Sequence, residues 1–313
     1  MSDKPQLLAP DTTGIAQAAA LLCAGTPVAL PTETVYGLAA RADQPQAVAA
    51  IYRAKGRPEF NPLIVHVPDL AAARALAVLD DRAEAVTAAF WPGALTLVLP
   101  LRPGADVAPA VTAGLPTIAL RCPAHPLMRA VLRESSLPLA APSANRSGGV
   151  SPTSAAHVAA SLGDRVAAIL DGGPCDQGVE STIIALRAEG HWQVLRHGPV
   201  TQDALAALLG PPVPVADQRI EAPGQLASHY SPGKPLRLDA VTARRDEYLI
   251  GFGPVAGAIT LSASGDLAEA AANLYAALHA AAAAPQPRVA AAPIPAEGIG
   301  AAINDRLRRA AAG

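Results

Sequence analysis

The chain has 313 residues, of which 51% are hydrophobic, 16% charged and 3% aromatic, with a formal net charge of −2. That length fits two domains of unequal size. The near-neutral charge and scarce aromatics argue against a dedicated nucleic-acid binder built on a basic stripe or stacked bases. The three cysteines, Cys23, Cys122 and Cys175, form no CxxC pair, which argues against a zinc ribbon or disulfide framework and for reduced thiols. The N-terminus carries no secretory pattern, and the apolar runs fall short of a membrane span, so a cytoplasmic protein without a membrane partner is expected.

In chain order, "GIAQAAALLCAG" reads as a helix closed by Gly25, and "PVALPT" as the short strand after it. Asp43 is placed to cap a second helix, "QPQAVAAIYRAK", with Pro45 in its first turn. "LIVHV", "LTLVLPL", "TIALRC" and "LPLAAPSA" are β-like runs, with helices such as "HPLMRAVLRES" and "TSAAHVAASLG" between them. "STIIALR" and "HWQVLRHG", joined by "AEG", form a hairpin pattern. The whole describes an α/β domain, 1–209, with a twisted sheet of mixed parallel and antiparallel pairs. Residues 210–235 are rich in Pro and Gly without apolar periodicity, so they read as a linker or lid. Beyond it, alternating strand and helix patterns over 236–313 predict a smaller Rossmann-like α/β domain.

The polar turns carry the chemistry. "PTETVYGLAA" sets Thr32, Glu33, Thr34 and Tyr36 after a strand and reads as a strand-to-helix loop, a usual ligand position in α/β folds. "YRAKGRPEFNP" offers Lys55, a mobile point charge, Arg57, a planar fork, and Asn61; the two cations suit a phosphate chain. His66 alternates with apolar neighbours, a pattern that fits a hydrogen-bonded core residue. Arg121 ends an apolar strand that Thr117 begins, and a cation there calls for an anion such as a carboxylate. "APSANRSGGVSPT" presents Ser143, Asn145, Ser147 and Ser151 around a Gly pair, a loop suited to nucleotide phosphate or sugar although it is no Walker A sequence. "DGGPCDQGVEST" leads into a strand at Ser181, and Arg196 lies at the end of another. HExxH, GxSxG and GxGxxG are all missing. Cations, hydroxyls and glycines suit positioning and charge stabilisation around phosphates better than a covalent nucleophile.

"PTETVYGLAA", "KGRPEFNPLIVHV", "PSANRSGG" and "GVESTI", in that order, resemble the YrdC-like domain, and "HYSPGKP" with "GIGAAINDRLRRA" resembles the long, two-domain form of the L-threonylcarbamoyladenylate synthase family. The resemblance implies a nucleotidyltransferase that joins L-threonine, bicarbonate and ATP into threonylcarbamoyl-AMP and pyrophosphate, for modification of tRNA. It implies threonine against Thr34, His66, Arg121 and Ser181, which for His66 displaces the core reading. It implies ATP against Lys55, Arg57, Asn61, Thr117, Ser143, Asn145, Ser151, Arg196 and Tyr230, with Lys55 and Arg57 at the catalytic centre. Ala141 stands where some relatives have a hydroxyl, so a threonine contact there would be backbone-only. Mg²⁺ is expected to arrive on the ATP phosphates, with no dedicated metal ligands and no tightly bound organic cofactor. Downstream tRNA threonylcarbamoyl-transfer proteins are the implied partners, and stable nucleic-acid binding is not required. Two other readings remain, an RNA-binding module and a carbamoyltransferase-type maturation factor. The latter family's chains carry paired cysteines and an acylphosphatase region that this sequence lacks.

Overall fold

The computed structural model describes residues 4–187, 190–214, 220–225 and 228–313. Its first half begins with β1 (Gln6–Leu8), α1 (Thr12–Cys23), β2 (Val28–Leu30), β3 (Gly37–Arg41), α2 (Pro45–Lys55) and β4 (Ile64–His66). Then come α3 (Leu70–Leu76), α4 (Asp81–Phe90), β5 (Leu95–Pro100), α5 (Pro109–Thr112), β6 (Thr117–Arg121), α6 (Pro126–Ser135) and β7 (Leu139–Ala140). The unit closes with α7 (Ala155–Leu162), β8 (Ala168–Leu170), β9 (Thr182–Leu186), β10 (Trp192–Arg196) and α8 (Gln202–Leu209).

The strands form one ten-stranded sheet in the order β1-β8-β2-β3-β7-β4-β6-β5-β9-β10. β4 and β6 run parallel and β7 antiparallel to β4, so the sheet is mixed. Three-residue strands such as β2 and β4 are buried throughout, as expected where helices cover both faces. Local chemistry sets the helix ends: the Asp11 carboxylate accepts from the Gly14 N–H at 2.9 Å, and Pro126 opens α6.

Two local readings need correction. Asp43 caps nothing; it takes a bidentate bond from Arg41 at 2.7 Å, and α2 starts from Gln44 and Pro45. A nearby guanidinium outcompetes a backbone N–H for a carboxylate. "PTETVYGLAA" connects two antiparallel strands, β2 and β3, not a strand to a helix. The Thr32 hydroxyl donates to the Val35 carbonyl at 2.6 Å and accepts from the Val35 N–H at 3.1 Å, which tightens the turn and returns the chain into the sheet.

The second unit holds β11 (Leu236–Arg237), β12 (Glu247–Gly251), β13 (Ile259–Thr260), α9 (Leu267–Ala283), β14 (Arg288–Ala291) and α10 (Gly300–Ala311). Its sheet, ordered β11-β14-β12-β13, is parallel throughout. Its core is not closed on itself. Val35, Val150 and Val179 of the first unit and Tyr230 of the connecting segment pack with Leu274, Tyr275, Leu278, Ile303 and Leu307. Loops of the first unit and the connecting segment therefore pack against α9 and α10. Among the described residues, no helix is long and apolar enough to cross a membrane.

Candidate active site

A cavity opens where the β2–β3 turn, the ends of β4 and β6, the loop after β7, the start of β9, the end of β10 and the connecting segment converge. Thr34, Arg57, His66, Arg121, Ser143, Ser181, Arg196 and Tyr230 all line it. The sheet register explains one half. His66 and Arg121 are direct partners on the parallel pair β4–β6, so both side chains leave the sheet side by side.

Arg121 is buried and heavily engaged. Its Nε donates to the Gly93 carbonyl at 3.1 Å, Nη1 to the Thr34 hydroxyl at 2.9 Å, and Nη2 lies 2.7 Å from Oε1 of Glu33. The last pair is close but not aligned as a hydrogen bond, since both atoms otherwise lack a partner. Burial works to raise the pKa of Glu33, but the Arg121 charge together with hydrogen bonds to the carboxylate outweighs it and holds the carboxyl below its usual range. A guanidinium has five N–H donors; two are bonded and a third faces Glu33, so two remain for a ligand carboxylate. Thr34 is equally constrained. Thr32 spends its proton on Val35, so Thr34 donates to Thr32 at 2.9 Å and accepts from Arg121, leaving one lone pair for a ligand N–H. Burial, helped by Arg121, pushes the His66 pKa down to about 3, so the imidazole is neutral, and its Nδ1 has no partner. At the far wall the Ser181 hydroxyl lies 2.7 Å from that of Thr96 and accepts from Arg196 Nη2 at 3.1 Å.

The other half is cationic. Lys55 is the last residue of α2, and Gly56 turns the chain in the left-handed region at φ 61°, so Arg57 leaves the helix axis. This is the bend that lets two cations two residues apart converge. Lys55 Nζ bonds the carbonyls of Ser143 and Asn145, each at 2.5 Å, with Asn145 Oδ1 at 3.5 Å. Burial and then Arg57 push its pKa down, yet three acceptors around one nitrogen are satisfied only by an ammonium. Asn145 Nδ2 donates to the Arg146 and Gly149 carbonyls, which fixes Oδ1 toward the lysine. Arg57 donates to the carbonyls of Asn61 and Pro62, and burial first of all brings its pKa down to about 10. Arg196 donates to the carbonyls of Ser181 and Pro223. Among the described residues, none of these three buried cations has a carboxylate within ion-pair distance.

Other candidate residues stand behind the lining. Asn61 is buried with Oδ1 unpartnered. Ser151 donates to Oε1 of Glu180 at 2.5 Å. Thr117 sits half-buried at the opposite end of β6 from Arg121, apart from the cavity wall. From the connecting segment, Pro223, Gly224, His229 and Tyr230 close the cavity. Tyr230 has φ 64°, uncommon for an aromatic residue, and is buried 5.4 Å above the guanidinium carbon of Arg306. Sequence reasoning passes over Glu180 although it precedes Ser181 in "GVESTI". Thr96, one hydroxyl in an apolar strand, gives no signal at all.

A mixed α/β sheet capped by a parallel-sheet unit thus sets a charge-balanced polar recess beside buried cations that have no carboxylate partner among the described residues. Comparisons with known proteins give the assignment. The Sua5/YciO/YrdC family model, described as telomere recombination, matches residues 20–198, and the model of the threonylcarbamoyl-AMP synthase C-terminal domain matches 200–312. A threonylcarbamoyl-AMP synthase of Bacillus subtilis is 48% identical over 242 residues, covering 75% of this chain and 69% of its own. One from Pyrococcus abyssi is 36% identical over 318 residues, covering 94% and 92%. The crystal structure of P. abyssi Sua5 complexed with L-threonine superposes with a TM-score of 0.89 at 33% identity, covering 98% of this chain and 97% of that one. The chain belongs to the threonylcarbamoyl-AMP synthase family, in its long two-domain form.

Proposed function

We propose that this enzyme is a nucleotidyltransferase that converts L-threonine, bicarbonate and ATP into L-threonylcarbamoyladenylate, pyrophosphate and water. The observation that carries the reading is the group Lys55, Arg57 and Arg196, three buried cations with no carboxylate within ion-pair distance among the described residues; Arg57 and Arg196 line the cavity, Lys55 stands behind its Ser143 wall, and the opposite side is a charge-balanced polar recess. Buried cations without counter-charges are costly, and a polyphosphate supplies those charges. The relatives' names and the threonine-bound P. abyssi structure support threonine as a substrate and threonylcarbamoyl-AMP as the product.

In this reading threonine's carboxylate takes the two free N–H groups of Arg121, and its amine meets the lone pair of Thr34 before losing its proton. His66 Nδ1 and Ser181 face the substrate hydroxyl and carboxylate. The amine nitrogen bonds to the bicarbonate-derived carbon with loss of water. An oxygen of the resulting N-carboxylate then attacks the α-phosphorus, and the bond to pyrophosphate breaks. Lys55, Arg57 and Arg196 offset the phosphate charge as it moves to the leaving group. Asn61 Oδ1 offers an acceptor for an adenine N–H, and Ser143, Asn145 and Ser151 border the nucleotide; Thr117 would have to reach it from the end of β6. The chain's own groups do not suit a resident metal. Glu180, the carboxylate in the cavity lining, has both oxygens engaged, and the described residues hold no cluster of metal-ligating side chains. Mg²⁺ would therefore come as part of the ATP substrate.

Carbamates and mixed anhydrides hydrolyse readily, so we assign the segment 210–235, of which residues 215–219 and 226–227 lie outside the described residues, with Tyr230, the role of a strap that excludes water. Its described residues are tied down. Arg187 holds Glu221 through two bonds of 2.7 and 2.9 Å, the Ser231 N–H donates to the Gly148 carbonyl at 2.9 Å, and Lys234 Nζ donates to the last carbonyls of α9. We infer a cytoplasmic enzyme, upstream of the proteins that transfer the threonylcarbamoyl group to tRNA. The direct test is pyrophosphate release. It should require threonine and bicarbonate together, and release that ignores either one would overturn the proposal.

A further inference from the structure

The cavity lining contains one carboxylate among the described residues, and it stands beside the cations that would receive the nucleotide. Its partners come from elsewhere. Oε1 of Glu180 accepts from Ser151 at 2.5 Å; Oε2 accepts from the Tyr275 hydroxyl at 2.7 Å and from Arg306 Nε at 2.9 Å. Tyr275 lies on α9 and Arg306 on α10, so the second domain supplies two of the three donors. Arg306 is wholly buried. It also donates to the carbonyl of His197, the residue after Arg196, and to Asp305. Tyr230 stacks over it from the strap.

We propose that Arg306 is a positioning residue for ATP: by pairing with Glu180 it cancels the one negative charge in the nucleotide end of the cavity and fixes Ser151 and Arg196 around it. The physical reason is that a buried carboxylate without its cation would repel an incoming triphosphate and recruit Arg196, a group the nucleotide needs. Burial alone would raise the Glu180 pKa. Arg306, Arg196 and the Ser151 and Tyr275 hydroxyls outweigh it and bring it down to about 2, so the group is a permanent anion that needs this permanent partner. The second domain then has a definite task. It is the far half of an ion pair whose near half is a wall of the active site.

This inference rests on ATP being the ligand of the cationic end, and the experiment separates the two. ATP and threonine binding are measured by calorimetry on the full chain for the wild type, Arg306→Gln, Glu180→Gln and the double variant. A wild type that binds no ATP defeats the proposed function itself. With ATP bound by the wild type, Arg306→Gln should weaken ATP by about tenfold or more while threonine affinity stays within about twofold. Glu180→Gln added to Arg306→Gln should recover most of the loss, because the charge left exposed is gone. Arg306→Lys should lie between. Unchanged ATP affinity in Arg306→Gln, equal losses for both ligands, or a double variant no better than the single one would each overturn the inference. Should Arg306→Gln fail to fold, the double variant decides alone: ATP affinity within about threefold of wild type supports the charge role, and a loss beyond about tenfold overturns it.

Discussion

The two ends of the cavity solve opposite problems. At the Arg121 end every charge has its answer inside the protein, for the guanidinium is met by Glu33, by Gly93 and by a hydroxyl relay through Thr34 and Thr32. At the Lys55 end three cations rest on carbonyl oxygens and the Ser181 hydroxyl, with no carboxylate in ion-pair reach among the described residues. A recess already balanced binds a ligand that is itself balanced, such as a zwitterionic amino acid. A recess with surplus charge waits for a polyanion. The fold makes this possible by delivering the first set from the end of β6 and the β2–β3 turn, and the second from a helix end, a loop and a strand terminus.

The sharpest way to break that contrast is to remove a cation. Arg57→Ala, and likewise Lys55→Ala, should cut kcat/KM for ATP by about two to four powers of ten while threonine affinity moves only a few-fold. Pyrophosphate release and threonine calorimetry on the same preparations check this; equal losses for both substrates would erase the distinction between the ends. Next in size is the balance of the other recess. Glu33→Gln strands a buried guanidinium, so a destabilisation of about 3–5 kcal/mol is expected, read as a lower denaturant midpoint. Arg57→Ala should leave that midpoint near wild type.

Smaller effects sharpen the picture. Thr34→Val removes the relay's ligand-facing oxygen and leaves Arg121 Nη1 short of a partner, and a threonine KM about ten- to a hundredfold higher is expected, with ATP little changed. Valine offered in place of threonine should fail by a comparable factor, since His66 Nδ1 would meet a methyl group, and serine should remain a poor substrate. The smallest effect is that of pH. His66 is neutral in the folded protein down to about pH 3, whereas the unfolded chain takes up a proton near its ordinary value of about 6.5. The unfolded state therefore binds the extra proton between those values. Stability contributed by His66 is full above pH 6.5 and falls by up to about 1.4 kcal/mol per unit as the pH drops toward 3. Thermal midpoints of wild type and His66→Gln between pH 7 and 5 should converge on acidification, and activity should show no histidine limb near neutrality.

Much of this is legible in the sequence, for identifiable reasons. Short apolar runs bounded by Pro and Gly mark β4, β5, β6 and the β9–β10 hairpin, because buried strands leave that composition. Arg121 at the end of "TIALR" and the Lys-Gly-Arg turn announce charge where burial makes charge expensive. The strand β3 hides because "GLAAR" is a helix-like composition that only pairing with β2 and β7 turns into sheet. Asp43 looks like a cap until Arg41 is seen across from it. Glu180 is the instructive omission, since its sense depends on Arg306, more than a hundred residues away, and no local pattern encodes a partner at that distance.

Lys55 has one further consequence. Its ammonium is already saturated by Ser143, Asn145 and the Asn145 amide, so a phosphate oxygen can be taken only by giving one of them up. Arrival of the nucleotide would thus loosen the loop 143–149 at the moment it fills the cavity, the reverse of the stiffening that ligands usually bring. The same lysine would act in turn as a clasp for an empty loop and a ligand for a full one. Amide exchange at Ser147, whose N–H is bonded to the Lys55 carbonyl at 2.9 Å, is the natural place to watch the handover.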